Sequence, residues 1–151
     1  MRRTLLNPKI DFVFKKIFGS EKHPRVLISF LNAILKPKKP IVSVEIKNSD
    51  LEKEYIEDKF SRLDVKALTS NKEIINIEIQ LKNEYNMIQR SLYYWSKIYC
   101  EQLESGEKYN KLKKTVCINI LDFNTLDTKK YHSMFKLKEN EENYILTDLL
   151  E

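Results

Sequence analysis

The stretch that most limits the fold is "SRLDVKALTSNKEIINIEIQLKN", residues 61–83, which reads as two strands around a short turn. Side chains on a strand alternate faces, so Leu63, Val65 and Ala67 share one side of the first strand and Arg62, Asp64 and Lys66 the other. In the second strand Ile75, Ile77, Ile79 and Leu81 form a wholly apolar face, opposed by Asn76, Glu78, Gln80 and Lys82. The anomaly is a carboxylate in the middle of each strand.

A turn centred on Asn71 sets Asp64 opposite Glu78, Lys66 opposite Asn76 and Arg62 opposite Gln80. Directly opposed residues bring their Cβ atoms to about 5 Å, where like charges are destabilising. A divalent cation between the two carboxylates removes the conflict, because Mg²⁺ takes a few carboxylate oxygens together with water and substrate phosphate. The competing reading is a solvated sheet face on which Asp64 pairs with Arg62 or Lys66, and Glu78 with Lys82.

The rest of the chain supplies helices on either side of this hairpin. "NPKIDFVFKKIFGS" repeats apolar residues at helical spacing (Ile10, Val13, Phe14, Ile17, Phe18) and stops at Gly19, with Asp11 at its beginning. "RVLISFLNAIL" is a second helix, ended by "KPKKP". "IVSVEIKN" alternates Val42, Val44 and Ile46 against polar neighbours as a half-buried strand, and the polar "SDLEKEYIEDK" follows as a loop.

After the hairpin, Tyr85, Ile88, Leu92, Trp95, Tyr99 and Leu103 recur at intervals of three and four, which predicts an amphipathic helix of about six turns closed by Gly106. Within that stripe Tyr85, Trp95 and Tyr99 read as core. "KLKKTVCINILDF" leads into an apolar strand, and the polar remainder carries one candidate strand around Met134 to Leu137. The order helix, helix, three strands, long helix, strand predicts an α/β architecture, a mixed sheet with helices.

Composition narrows the chemistry. With 42% apolar and 11% aromatic residues, 151 residues suffice for one domain with a core. Only two glycines occur, Gly19 and Gly106, which excludes a phosphate-cradling loop, a dinucleotide fingerprint and a nucleophile elbow. Cys100 and Cys117 lack zinc spacing and form no disulfide framework, so a reducing, cytoplasmic setting is expected. His23 and His132 stand alone, and no apolar run approaches signal-peptide or membrane-span length. The net charge of +5 favours a phosphate-bearing partner.

The segments "KIDFVFKKIFG", "LNAIL", "RLDVKA", "NIEIQ", "QRSLYYWSKIYCEQLESGEKY" and "INILDF", in that order, resemble the Rpn family of recombination-promoting nucleases and putative transposases, within the PD-(D/E)XK nuclease superfamily. The resemblance covers most of the chain to Phe123, and more loosely "ILTDLLE". It implies a restriction-endonuclease-like core with a mixed β-sheet flanked by helices, Mg²⁺-dependent (or Mn²⁺-dependent) DNA endonuclease activity, and a link to recombination or mobile DNA. One nuclease-like domain over 1–151 is expected: a helical part at 1–36, a sheet and long-helix core at 41–123, and a tail at 124–151. Related chains commonly continue past "LTDLLE".

Carried over by motif, Asp64 and Glu78 are metal ligands, and Gln80 stands where the family usually has a lysine that orients or polarises the attacking water. Asp11 matches an acidic position of the leading helix; its alternative role is a helix cap worth about 1 kcal/mol. Glutamine positions water by hydrogen bonding but lacks the lysine's charge, which Lys82 or Lys66 would then supply. Arg90, Tyr94 and Lys97 fall together on the long helix, away from its apolar stripe, as DNA-phosphate contacts or as a plain solvated face. Two other readings stand beside the nuclease. One is an inactive nucleic-acid-binding or protein-interaction module on the same fold; the other is an oligomerisation domain, whose partner is a second copy in a homodimer.

Overall fold

The computed structural model describes residues 6–47 and 65–151, except the side chain of Asp11. The segment "SDLEKEYIEDK" and the residues Arg62, Leu63 and Asp64 lie outside the described residues. Helices α1 (Asp11–Phe18) and α2 (Pro24–Leu35) come first, followed by strands β1 (Val44–Lys47), β2 (Val65–Thr69) and β3 (Ile74–Gln80). Helix α3 (Met87–Cys100) then crosses to β4 (Thr115–Leu121).

The four strands form one sheet in the order β1-β2-β3-β4. β1, β2 and β3 pair antiparallel, whereas β3 and β4 pair parallel. A parallel neighbour needs a crossover longer than a tight turn, and α3 provides it. This is a mixed α/β fold, a four-stranded mixed sheet with three helices among the described residues. The hairpin register is the one expected from a turn at Asn71: Val65 faces Ile77, Lys66 faces Asn76 and Ala67 faces Ile75. The turn closes with Lys72 at φ +66° and with the Glu73 backbone N–H donating to Thr69 Oγ1.

The core lies against the isoleucine face. Phe14, Leu27 and Leu31 from α1 and α2 pack on Val65, Ala67, Ile75, Ile77 and Val116, with Phe18 and Phe30 closing the margin. Pro24 opens α2 at a position where its missing N–H costs nothing. Asn32 ties α2 to the chain entering β1: its side-chain amide donates to the Ile41 carbonyl and accepts from the Ile41 N–H, both at 2.8 Å. Gly19 ends α1 with φ −94°, so its role is not a left-handed cap. It allows a close approach instead, since a Cβ there would stand 2.7 Å from the Lys15 carbonyl oxygen.

Three expectations fail on α3 and the tail. The helix has 14 residues, about four turns, because the chain beyond it is recruited into bonds to β4: the Gln102 side-chain amide donates to Thr115 Oγ1 and the Lys113 carbonyl and accepts from the Lys113 N–H. The first half of its apolar stripe is also not buried: Tyr85 (88% exposed), Ile88 (56%) and Leu92 face solvent, whereas Trp95, Tyr99 and Leu103 are half-buried. Met134–Leu137 forms no strand; the tail makes an isolated bridge from Lys138 to Ile145, and Leu150 pairs beside Thr115 at the edge of β4. Among the described residues no helix is long and apolar enough to cross a membrane.

Candidate active site

The polar face of β3 sits beneath α3. Side chains at registered positions share a face, so Asn76 lies beside Lys66 and Cys117, Glu78 beside Asn119, and Gln80 beside Leu121. Above them α3 turns Met87, Arg90, Ser91, Tyr94 and Ile98 inward, the spacing of one helical face. Ile98 is fully buried against Ile74, Tyr94 and Cys117. The expected solvated face is therefore absent at Glu78, which is 4% exposed.

Each oxygen of the Glu78 carboxylate accepts a hydrogen bond. Asn76 Nδ2 donates to Oε1 at 3.3 Å, and Arg90 Nη2 donates to Oε2 at 3.3 Å. The expected partner Lys82 is exposed past the end of β3. Beside the carboxylate, Asn119 Nδ2 donates to Ser91 Oγ at 2.9 Å. Two buried oxygens, Asn76 Oδ1 and Gln80 Oε1, have no hydrogen-bond partner among the described residues. Such orphans cost free energy, so this face is held against stability rather than for it.

The remaining sequence-derived residues divide. Arg90 and Tyr94 do not lie on a face turned from the core: the Arg90 guanidinium pairs with Glu78 and rests 5.3 Å from the Tyr94 ring centre. Lys97 is half-buried. Lys66, on the same sheet face, is held by Glu101 at 3.2 Å. Trp95 and Tyr99 stack at 4.8 Å, and Trp95 Nε1–H donates to the Thr115 carbonyl. Asp11 is the first residue of α1, with Ile10 in the cap position, so its place is not that of an N-cap. Asp64 lies outside the described residues.

The ends of the strands bring further groups together. The C-terminal ends of the parallel pair β3 and β4 lie at one edge, where open α/β sheets commonly bind ligands. There the Asp122 N–H donates to the Gln80 carbonyl, and Lys9 pairs with the Asp122 carboxylate, which brings the entry to α1 to the same edge. Sequence reasoning missed Arg90 as a partner of Glu78, and missed Asp122. The signal for Arg90 was its place twelve residues beyond an acid on an adjoining element, a separation with no fixed geometry until the crossover is known.

Burial pushes the Cys117 thiol from 9.0 up to about 12, with the neighbouring Glu78 charge adding to the shift and an Asn76 hydrogen bond opposing it. Among the described residues no group of three or more His, Cys, Asp or Glu is placed to hold a metal. Residues 8–151 match the family model described as PD-(D/E)XK nuclease family transposase. No curated protein and no solved structure matches the chain.

Proposed function

This chain belongs to the PD-(D/E)XK nuclease family transposases, and on that premise we propose that it is a divalent-metal-dependent DNA endonuclease acting in recombination or on mobile DNA. The observation that carries the reading is a nine-tenths buried carboxylate, Glu78, between two residues of the same β3 face, Asn76 and Gln80, whose amide oxygens have no hydrogen-bond partner among the described residues. A donor set of oxygens alone suits a hard cation such as Mg²⁺, with Mn²⁺ as substitute. Glu78 would hold it together with Asp64, the residue before β2. Asp11 is a further candidate, since the entry to its helix is tied to the same edge by the Lys9–Asp122 pair.

When bound, the cation lowers the pKa of the attacking water and neutralises charge on the transferring phosphoryl group. The chain's own part is positioning. Gln80 Oε1, without a hydrogen-bond partner among the described residues, would accept a hydrogen bond from the water and orient it, while the Gln80 amide cannot carry the positive charge of a lysine. Lys82, exposed directly after β3, supplies charge toward the DNA phosphates. Lys66 contributes less, because Glu101 already balances it.

A second reading, an inactive binding module on the same fold, is favoured by the neutral residue at position 80 and by the cation already paired with Glu78. Supercoiled plasmid with Mg²⁺ or Mn²⁺ separates the two. Nicking that EDTA stops, and that Asp64→Ala and Glu78→Gln each lower by about 10²–10³-fold or more, is the expected result. Folded protein that binds the plasmid and never nicks it would leave only the binding module.

A further inference from the structure

We infer that Arg90 is a stand-in cation for Glu78, so that the Arg90–Glu78 ion pair and a divalent metal at Glu78 exclude one another. The inference rests on the metal reading of Glu78 given above. A carboxylate this buried is costly to leave unpaired, and in the protein without metal the Arg90 guanidinium meets that need at Oε2. Asn76, whose Nδ2 donates to the other carboxylate oxygen, has an Oδ1 without a hydrogen-bond partner among the described residues, a further oxygen donor next to Glu78 on the same strand face. A divalent cation and a guanidinium on one carboxylate oxygen repel each other, so loading the metal displaces Arg90.

The pair is built to be given up. Its 3.3 Å separation is at the long end for a charge-assisted hydrogen bond. Glu78 has only 5% of its side chain exposed, whereas Arg90 has 35%, so the guanidinium has a solvent side to withdraw to while the carboxylate has none. The guanidinium already rests 5.3 Å from the ring centre of Tyr94, one turn along α3, a contact it can keep on leaving the carboxylate. Arg90 is therefore a positioning residue that acts through Glu78. Its displacement lowers the apparent metal affinity, as any competing state does, and releases a guanidinium with the geometry to take a phosphate.

The test is Mn²⁺ binding without DNA, read by loss of the free-ion resonance signal, on the full chain and on Arg90→Gln, Arg90→Lys and Glu78→Gln. Arg90→Gln is expected to bind Mn²⁺ about fivefold tighter or more, the low end of ordinary site coupling, and to melt lower without metal but gain more from it. Arg90→Lys, which keeps the charge, is expected to stay near the unmutated protein. Equal or weaker Mn²⁺ binding by Arg90→Gln, with binding abolished in Glu78→Gln, would overturn this inference and leave the metal site standing. Unchanged Mn²⁺ binding by Glu78→Gln would overturn the metal site and the inference together. Should Arg90→Gln fail to fold, the Arg90 Nε–H resonance of the unmutated protein decides: it must shift as Mg²⁺ saturates the site, and a resonance that does not move refutes the displacement.

Discussion

The two faces of β3 are both covered, yet for opposite physical reasons. Ile75, Ile77 and Ile79 meet α1 and α2 in the main core, where burial itself is favourable. Asn76, Glu78 and Gln80 lie on the α3 side, where burial costs free energy unless every polar atom finds a partner. Among the described residues, two of those atoms do not. One strand thus serves the fold with its odd-numbered residues and holds the candidate chemistry with its even-numbered ones, and the first face supports the expense of the second.

The contrast is broken most forcefully on the isoleucine side. Ile77→Ala removes a fully buried side chain from the centre of the core, and its expected cost is about 2–5 kcal/mol in urea or guanidinium unfolding. Metal affinity measured on the fraction that stays folded should change little. A loss of metal binding equal to that of Glu78→Gln would show that the faces are not separable.

Thiol chemistry sharpens the comparison on the polar side. Cys117, registered beside Asn76 under α3, holds its proton to about 12, whereas Cys100 is exposed at the end of the helix. Iodoacetamide at pH 8 is expected to label Cys100 and spare Cys117 until the protein unfolds; equal labelling rates in the native state would contradict the burial. The raised value also fixes a sign. An unfolded thiol ionises near 9.0 and the native one near 12, so between these the native state binds more protons, and this residue's contribution to stability falls as pH rises through that window. Cys117→Val should flatten that part of the stability profile.

The smallest effect belongs to the outer face of α3. Ile88→Ala, at a position 56% exposed, is expected to change unfolding free energy by no more than about 0.5 kcal/mol. A cost near that of Ile77→Ala would mean that Ile88 is covered in solution.

Much of this was legible from residue order. Alternation along "IINIEIQ" separated the two faces, and "TSNKE" placed the turn well enough to give the register of Lys66 with Asn76. The apolar spacing in the first helix picked out Val13 and Phe14, which the structure buries, although Ile10 of the same set is 47% exposed. The helix α3 was not legible in the same way. Of the stripe set by spacing, Tyr85, Ile88 and Leu92 are exposed and Trp95, Tyr99 and Leu103 half-buried, while the face through Met87, Tyr94 and Ile98, with Arg90 and Ser91 in it, is turned inward.

What the sequence by itself determined is therefore local: strand alternation, turn position, and the apolar faces whose burial has no competitor. Only the tertiary structure decided which side of α3 meets the sheet, and with it the pairing of Arg90 with Glu78. The physical reason is that α3 has apolar residues at helical spacing on two faces, so hydrophobicity alone does not choose between them. The choice falls to the surface beneath, where Glu78 and Asn119 need the Arg90 guanidinium and the Ser91 hydroxyl, and a polar strand selects the helix face that can answer it.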